Sequence, residues 1–275
     1  MLSTFTPASP LLLVGFGNMG RAMVDGWLRA GLDAAALHVI DPVFAAAPAG
    51  ELVAHTYAAA SEVPEITPRA LMVAVKPQAM EHVLPGLARF VGDETLVLSI
   101  AAGVKIATFA EAFGADCAIV RTMPNTPAAI GEGVSGLCAS TGVTDEDKAL
   151  AEALMAAAGQ TVWVADEALM DSVTAVSGSG PAYVFHFVEA LAAAAEREGF
   201  DPETAMTLAR QTVIGAAALM KAQADVPAAT LRERVTSPGG TTAAALGVLM
   251  PEAGLTGLLT RAVEAARKRG EELGG

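Results

Sequence analysis

The sequence predicts an α/β protein in which a doubly wound, mostly parallel sheet is followed by an all-α C-terminal domain. Three observations lead to this prediction. The first part of the chain alternates short, continuous apolar runs with helical stretches, which is the pattern of strands buried on both faces and joined by crossover helices. A glycine-rich turn separates the first apolar run from the first helical stretch. After about residue 165, the strand runs give way to long alanine-rich helical patterns.

The strands are predicted from apolar runs that do not alternate with polar residues. Five runs meet this description: Leu11–Gly15, Leu37–Asp41, Ala70–Val75, Thr95–Ile100 and Cys117–Arg121. Helical stretches lie between several of them, at Met19–Ala30 and Ala79–Phe90. Two further runs, Gly133–Cys138 and Thr161–Val164, flank the helical stretch Asp145–Ala157 and are expected to extend the sheet.

The C-terminal half is predicted to be helical because no strand runs separate its longest patterns, which are Pro181–Glu198, Pro202–Gln223 and Gly254–Arg269. Pro181 and Pro202 suit the first turn of a helix, where the missing N–H of proline costs little. We place the domain boundary near residue 165, which divides the chain into domains at 1–165 and 166–275.

Composition excludes several classes of function. The 275 residues carry a formal net charge of −13, whereas a nucleic-acid-binding protein normally has a basic face. The mean hydropathy is high, at +0.46, but no uncharged apolar stretch reaches the roughly 18 residues of a membrane-spanning helix. The N-terminal residues also lack the basic start and the cleavage site of a secretory signal. We therefore expect a cytoplasmic protein that binds neither nucleic acid nor membrane.

The cysteines and histidines do not indicate a metal site. Cys117 and Cys138 lack a second cysteine or a histidine at ligand spacing, and the four histidines are equally scattered. Metal sites usually show such spacing. We expect both cysteines to be buried thiols of a protein in a reducing compartment.

The glycine-rich turn is Gly15-Phe16-Gly17-Asn18-Met19-Gly20, a G-x-G-x-x-G pattern between a predicted strand and a predicted helix. That context is typical of a dinucleotide-binding, Rossmann-like βαβ unit. Gly15 is expected to permit the tight turn, Gly17 to allow a pyrophosphate to approach, and Gly20 to allow close packing of helix and sheet. A purely structural glycine turn is the alternative.

Asp41 bears on the choice of dinucleotide. It ends the second strand run, about 20 residues after the glycine turn, where such folds place a carboxylate that accepts hydrogen bonds from the adenosine ribose. This carboxylate would repel a 2′-phosphate, and no Arg or Lys follows between residues 42 and 50. The sequence therefore favours NADH over NADPH, unless Asp41 only caps a turn.

Three further segments follow predicted strands and are expected at the same sheet edge. Lys76, followed by Pro77, can reach a phosphate or a ribose. The small residues of Ser99–Gly103 leave room for a flat nicotinamide ring. The loop Arg121–Pro127 brings hydroxyls and the Asn125 amide toward the cleft. Ordinary loops and turns are the alternatives.

Two motifs stand out in the C-terminal half. Ser177–Pro181 lacks the glycine spacing of a nucleophile elbow, so we interpret it as a flexible break before a long helix. Thr236–Thr242 places glycines and hydroxyls ahead of the helical run Ala243–Met250, which predicts an anion site suited to a small acidic substrate. An ordinary Thr-capped helix start is the alternative.

The chain resembles the pyrroline-5-carboxylate reductases in six motifs that run in order from residue 15 to residue 246: GFGNMG, AVKPQ, SIAAGV, MPNTP, VSGSGPAY and VTSPGGTTAAAL. The resemblance implies a dinucleotide-binding Rossmann domain and a helical domain for substrate binding and dimerisation, with intertwined dimers that often assemble into decamers. It implies the last step of proline biosynthesis, in which NADH or NADPH reduces the C=N bond of 1-pyrroline-5-carboxylate to give L-proline.

The resemblance also implies roles for individual residues. Thr242 is expected to be the catalytic residue that holds the ring nitrogen. The substrate-binding residues are expected to be Ser237, Gly239, Gly240 and Thr241, with the Gly239 and Gly240 amides on the substrate carboxylate. Many relatives have an asparagine that contacts the cofactor near the end of the third strand region, where this chain reads Ala58-Ala59-Ala60-Ser61. Only Ser61 could take its place. With the motifs above, the candidate cofactor-binding residues are Val14, Gly15, Phe16, Gly17, Asn18, Met19, Gly20, Asp41, Ser61, Ala74, Val75, Lys76, Pro77, Ile100, Ala101, Ala102 and Asn125.

Two other functions remain open at this point. A 3-hydroxyacid dehydrogenase of the 6-phosphogluconate type shares the opening glycines, but it needs a lysine on the long interdomain helix and Pro181–Glu198 contains none. A non-catalytic nicotinamide-nucleotide sensor would have no reason to keep the anion site at Thr236–Thr242.

The apolar content of 53% exceeds what folding of a lone chain requires. We predict that the excess apolar residues lie in the alanine-rich helices of the C-terminal half, where small side chains permit close packing between subunits. We therefore expect an obligate homodimer without a stable monomer.

Overall fold

The computed structural model of the protein describes residues 2–45 and 55–274. Within these ranges eight strands form one sheet: β1 (Leu11–Val14), β2 (Leu37–Ile40), β3 (His55–Tyr57), β4 (Ala70–Val73), β5 (Leu96–Ser99), β6 (Ile119–Met123), β7 (Gly133–Ala139) and β8 (Gly159–Trp163). The strand order is β3-β2-β1-β4-β5-β6-β7-β8. All neighbouring pairs are parallel except β6 and β7, which are antiparallel. The predicted mostly parallel sheet is confirmed.

Both faces of the sheet are buried, as the continuous apolar runs predict. On β1, Leu11 and Leu13 pack into one hydrophobic cluster with Trp27, while Leu12 and Val14 pack into a second cluster. All four strand residues are at most 3% exposed, and each such side chain contributes about 1.5–3 kcal/mol when it leaves water. The Trp27 indole N–H also donates to the Leu154 carbonyl at 2.8 Å.

Helices cover the faces of the sheet and account for the buried clusters. Those that lie before residue 180 are α1 (Asn18–Arg29), α2 (Pro42–Ala45), α3 (Met80–Leu87), α4 (Ile106–Phe113), α5 (Asp145–Ala156) and α6 (Met170–Val173). Several predicted strands extend one or two residues past the observed ones, at Gly15, Asp41, Val75 and Ile100. There the chain leaves the sheet, and these residues begin the loops of the sheet edge. The strand β3 has no predicted counterpart.

The chain divides into two compact units, Met1–Ser179 with Ala266–Gly275, and Gly180–Ala265. The helices after residue 179 are α7 (Gly180–Arg197), α8 (Pro202–Ala222), α9 (Ala228–Arg234), α10 (Thr241–Leu249) and α11 (Leu255–Leu273). Their all-α character confirms the expected helical C-terminal region. Helix α11 begins in the second unit and ends in the first. The domain boundary near residue 165 stays a prediction.

Ser177–Pro181 is not a continuous helix, because a bend at Ser179 separates a π-helical turn from α7. The predicted break before the long helix therefore lies at Ser179, and its flexibility stays a prediction. A π-helical turn at Thr174–Gly178 follows α6 directly, and α7 begins at Gly180. The Ser177 hydroxyl donates to the Val173 carbonyl at 2.9 Å, inside this turn. A side chain at Gly178 would lie 2.8 Å from the Met123 Cε atom. A larger residue at position 178 would require the end of the Met123 side chain to move.

Many large apolar side chains of the second unit are exposed in the single chain. They include Phe185, Phe187, Met206, Leu208, Ile214, Leu219, Met220, Val248, Leu258 and Leu259. Such a surface exceeds the scattered apolar residues of an ordinary monomer. None of the described helices combines the length and the hydropathy needed to cross a bilayer.

Candidate active site

The carboxyl ends of β1, β4 and β5 bring three of the predicted cofactor segments to one edge of the sheet. Val14 pairs with Val73, and Val73 pairs with Ser99. Beyond the last pairs, the Ala74 N–H donates to the Val14 carbonyl at 2.7 Å and the Ile100 N–H donates to the Val73 carbonyl at 3.1 Å. The segments 14–20, 74–77 and 100–102 therefore lie side by side, where ligands bind in sheets of this kind.

The glycine turn is held tightly at its two ends. Gly15 has φ +100°, a conformation that favours glycine, and a Cβ there would lie 2.8 Å from the Ala74 carbonyl oxygen. A Cβ on Gly20 would collide with the Gly15 carbonyl oxygen. Gly15 therefore permits the tight turn, as expected. Gly20 permits a close contact as well, but the nearest atom belongs to the turn at Gly15 and not to the strand.

The middle of the same turn is open. Gly17 is exposed, and a Cβ added to it would have no neighbouring atom within 4 Å. It precedes α1 as the N-cap residue without a side-chain capping bond. A helix N-terminus carries amide donors and partial positive charge. The chain thus leaves room and donors for a phosphate group where the sequence predicts the pyrophosphate of a dinucleotide.

The carboxylate of Asp41 lies beside this turn. Its Oδ2 atom accepts from the Phe16 N–H at 2.8 Å and its Oδ1 atom accepts from the Val43 N–H at 2.9 Å. Asp41 therefore orders the glycine turn as well as ending β2. Its placement next to the turn agrees with the expected position of a ribose-binding carboxylate.

The other predicted cofactor residues differ in their exposure. Lys76 and Pro77 are exposed at the start of a 3₁₀ turn, and Ala102 is exposed while Ala101 is buried. Ser61 is exposed in a 3₁₀ turn after β3. These positions are consistent with contacts to a ligand, which remain a prediction.

Asn125 has a structural partner. It is 9% exposed, and its Oδ1 atom accepts from the Val134 N–H at 3.0 Å. This bond fixes the loop between β6 and β7 at the start of β7. The Asn125 side chain therefore supports the loop whatever its contact with a cofactor.

The second unit carries the predicted substrate motif. Gly239 has φ +69°, and the Gly240 N–H donates to the Ser237 carbonyl at 3.0 Å, which closes a turn. Helix α10 begins at Thr241, two residues before the predicted run, so that Thr241 and Thr242 lie in its first turn. The N-cap, Gly240, makes no side-chain capping bond. The Gly240 amide was expected to bind the substrate carboxylate. In the structure it donates instead to the Ser237 carbonyl within the turn.

Sequence reasoning missed an ion cluster in the first unit, in which the Arg121 side chain is buried and the Glu167 and Asp171 side chains are partly exposed. Arg121 lies 3.1 Å from Glu167 (Nη1 to Oε1) and 3.5 Å from Asp171 (Nη2 to Oδ1). The signal was present, because Arg121 closes an otherwise apolar predicted strand, and a charge in such a strand requires a partner.

The expectation of buried thiols is confirmed for Cys138, whereas Cys117 is only partly buried. Both are unpaired, and burial raises the pKa of Cys117 to about 11 and raises the pKa of Cys138 as well. In the part of the chain that the structure describes, no group of three or more His, Cys, Asp or Glu side chains could hold a metal ion.

Comparisons with known proteins agree across the chain. The family model described as pyrroline-5-carboxylate reductase dimerisation matches residues 167–273, and the model described as NADP oxidoreductase coenzyme F420-dependent matches residues 11–103. The pyrroline-5-carboxylate reductase of Pasteurella multocida is 39% identical over 97% of this chain and 98% of that protein.

Solved structures show the same similarity. A pyrroline-5-carboxylate reductase from Coxiella burnetii matches with a TM-score of 0.87 and 35% identity, over 97% of this chain and 98% of that one. The pyrroline carboxylate reductase of Plasmodium falciparum with NADP bound matches with a TM-score of 0.80 and 29% identity, over 98% of this chain and 100% of that one.

Proposed function

Because this chain belongs to the pyrroline-5-carboxylate reductase family, we propose that it reduces 1-pyrroline-5-carboxylate to L-proline with a reduced nicotinamide dinucleotide, the last step of proline biosynthesis. One observation carries the proposal: the open, uncapped N-terminus of α1 at Gly17 lies at the sheet edge of a chain that matches these reductases nearly from end to end.

The first unit binds the dinucleotide in this proposal. The amides at the start of α1 hold the pyrophosphate, Asp41 faces the adenosine ribose, and Lys76 faces a phosphate or ribose. The segment 100–102 lies under the nicotinamide ring, with the exposed Ala102 leaving space for it. When bound, the reduced dinucleotide supplies the hydride that the imine carbon accepts.

The second unit binds the substrate. The Thr242 hydroxyl holds the ring nitrogen, and the Ser237 hydroxyl with the Gly239 and Thr241 amides holds the carboxylate at the N-terminus of α10. Gly240 shapes the turn, since its own amide donates to Ser237. In the protonated substrate the imine nitrogen already carries its proton, so no residue has to donate one. These residues therefore act mainly by orienting the substrate.

The cofactor is NADH in preference to NADPH. The Asp41 carboxylate is held beside the glycine turn by two amides, so it presents a negative charge that a 2′-phosphate would meet. The Plasmodium falciparum relative, which has NADP bound, shows that the family accommodates the phosphate in at least one member.

The functional molecule is an obligate homodimer, with decamers as a larger assembly. The match to a dimerisation model over residues 167–273 and the exposed apolar side chains of the second unit support this. A cytoplasmic location is supported by the two unpaired thiols, which are usual in reducing compartments.

The deciding experiment is a turnover assay on the purified protein. We expect oxidation of NADH, and less efficiently of NADPH, that depends on pyrroline-5-carboxylate and yields L-proline. Reduction of NAD⁺ or NADP⁺ by members of a panel of 3-hydroxy acids would instead indicate a hydroxyacid dehydrogenase. Dinucleotide binding without turnover of any of these compounds would indicate a sensor.

A further inference from the structure

A buried guanidinium joins β6 to the segment that follows β8. The Arg121 side chain is 5% exposed, and a charge this deep costs several kcal/mol unless partners satisfy it. Glu167 and Asp171 supply those partners at 3.1 and 3.5 Å. The two carboxylates are therefore held in fixed positions by the same cation.

Glu167 has a second hydrogen-bond partner besides Arg121. Its Oε1 atom also accepts from the Ile106 N–H at 2.8 Å. Ile106 is the first residue of α4, and the N-cap, Lys105, makes no side-chain capping bond. The Glu167 carboxylate, 61 positions away in the sequence, therefore caps this helix, and its negative charge interacts favourably with the helix dipole.

The groups that Glu167 joins flank the proposed nicotinamide position. Helix α4 follows directly on the segment 100–105, which leaves the carboxyl end of β5. Arg121 lies opposite Ser99 on the neighbouring strand β6, and the Thr122 hydroxyl donates to the Ser99 carbonyl at 3.1 Å. One carboxylate oxygen thus ties the far end of the segment 100–105 to the strand beside it.

We propose that Glu167 is a positioning residue for the nicotinamide end of the dinucleotide. By holding the Ile106 amide against Arg121, it fixes the path of the segment 100–105, on which the ring rests. This inference rests on the proposed function for the role of that segment. In this proposal Glu167 acts through the backbone, because the partners of its Oε1 atom are Ile106 and Arg121.

The first test removes the hydrogen bond from the backbone side. Ile106→Pro deletes the donor but keeps Glu167 and Arg121, and proline is accepted at the first position of a helix. Lys105 has φ −82° and ψ 154°, which a following proline allows. Ile106→Ala is the matched control, because it shortens the same side chain and retains the N–H.

We expect Ile106→Pro to bind NADH about tenfold more weakly than Ile106→Ala, the ratio that corresponds to loss of one hydrogen bond to a charged group. Fluorescence titration of NADH without substrate measures this. With substrate present, kcat should fall by a similar factor relative to Ile106→Ala, while the KM for pyrroline-5-carboxylate stays within about twofold.

The second test changes the carboxylate. Glu167→Gln keeps an oxygen acceptor for Ile106 and should retain NADH affinity, whereas Glu167→Ala should lose about tenfold. Asp171→Ala is the control, since Arg121 loses a partner but the Ile106 bond remains. It should lower thermal stability while its NADH affinity stays near that of the unaltered protein.

Equal NADH affinity in Ile106→Pro and Ile106→Ala would overturn the proposal. So would equal losses of affinity in Glu167→Ala and Asp171→Ala, because the effect would then come from the unpaired guanidinium. The binding measurements need no substrate, so they decide the role of Glu167 even if the unaltered protein fails to reduce pyrroline-5-carboxylate.

Discussion

The carboxylate of Asp41 accepts a hydrogen bond from the Phe16 amide, with 2.8 Å between Oδ2 and N. This bond joins the end of β2 to the glycine turn that follows β1. A second bond, from the Val43 amide to Oδ1, fixes the orientation of the carboxylate. The residue that would meet the adenosine ribose is thus also the residue that orders the phosphate-binding turn.

We expect Asp41→Asn to shift cofactor preference toward NADPH. Asparagine keeps one acceptor for Phe16 but removes the negative charge that opposes a 2′-phosphate. The ratio of kcat/KM for NADPH to that for NADH should rise about tenfold, or about 1.4 kcal/mol. Asp33→Asn is the control, because Asp33 caps a 3₁₀ turn at the other end of β2. An unchanged ratio in Asp41→Asn would remove Asp41 from the selection of cofactor.

Substitutions at Gly15 and Gly17 should affect different properties of the protein, stability in the first case and NADH affinity in the second. Gly15→Ala forces a Cβ toward the Ala74 carbonyl at φ +100°, and we expect a loss of about 2–3 kcal/mol in the free energy of unfolding. Gly17→Ala meets no protein atom, so its unfolding free energy should change by less than about 1 kcal/mol. Its Cβ would occupy the space left for the pyrophosphate, so NADH affinity should still fall at least about tenfold.

Urea unfolding and NADH titration on the two glycine variants check this pair of expectations. Gly31→Ala serves as a backbone control, since Gly31 also has a positive φ but no neighbour within 4 Å of its Cβ position. If Gly17→Ala bound NADH as the unaltered protein does, the pyrophosphate would not lie at the start of α1.

Thr242→Val should impair catalysis without affecting the dinucleotide. Valine has the shape of threonine but lacks the hydroxyl proposed to hold the ring nitrogen. We expect kcat/KM for pyrroline-5-carboxylate to fall roughly fivefold to 150-fold, which corresponds to a loss of about 1–3 kcal/mol of transition-state stabilisation. The NADH dissociation constant from fluorescence titration should be unchanged.

Thr241→Val is the matched control, because it removes the neighbouring hydroxyl in the same turn of α10 and leaves both amides in place. Its kcat/KM should remain within about threefold of the unaltered protein. A normal kcat/KM in Thr242→Val would show that the threonine hydroxyl does not assist the reaction.

Acid should destabilise the protein through His38. Its ring is 5% exposed and stacks on His55 with 4.4 Å between ring centroids. Burial, and secondarily the charge of His55, lowers the pKa of His38 to about 4, against about 6.5 in the unfolded chain. The unfolded state therefore binds more protons between these pH values, and stability is lost as pH falls through that window.

We expect His38→Gln to remove about 1–2 kcal/mol of the stability difference between pH 7.5 and pH 4.5. Urea unfolding at the two pH values and one protein concentration measures it. His82→Gln alters an exposed histidine of α3 and should keep the full difference. A His38→Gln protein with the same pH dependence as the unaltered one would contradict this assignment.

The exposed side chains of α7 should be covered in the assembled protein. Light scattering at micromolar concentration should find a dimer or a larger assembly and no monomer. Phe185→Glu, at a residue 64% exposed in the single chain, should yield monomers or unfolded protein, because a carboxylate cannot be buried unpaired. Ile130→Glu changes a similarly exposed residue of the first unit and should leave the assembly intact.

Much of the sheet could be predicted because most of its strands are short apolar runs that can be recognised from neighbouring residues alone. Leu11–Val14 and Leu96–Ser99 are buried on both faces and almost wholly apolar, which is a strong pattern over four residues. Strand β3 has only three residues, His-Thr-Tyr, all half-buried. An edge strand of this kind has neither a continuous apolar run nor clear alternation, so its presence depends on pairing with β2.

The parts of the site that escaped prediction depend on contacts between distant positions. The bond from Ile106 to Glu167 spans 61 positions, and no local pattern specifies it. The same applies to the proximity of Gly178 to the Met123 side chain, which comes from a distant part of the sequence. The break that the Ser-Gly-Ser-Gly sequence predicts is a single bend at Ser179.

Helix α11 starts in the second unit and its last residues belong to the first. A side chain at Gly270 would lie 3.5 Å from Asp171 Cβ, and one at Gly274 would lie 2.8 Å from the Gly103 carbonyl oxygen. The chain therefore leaves the sheet-bearing unit after Ser179 and returns to it at Ala266, within α11. Deleting the chain from residue 266 onward would therefore remove residues that belong to the sheet-bearing unit itself, among them the two glycines that approach Asp171 and the loop after β5.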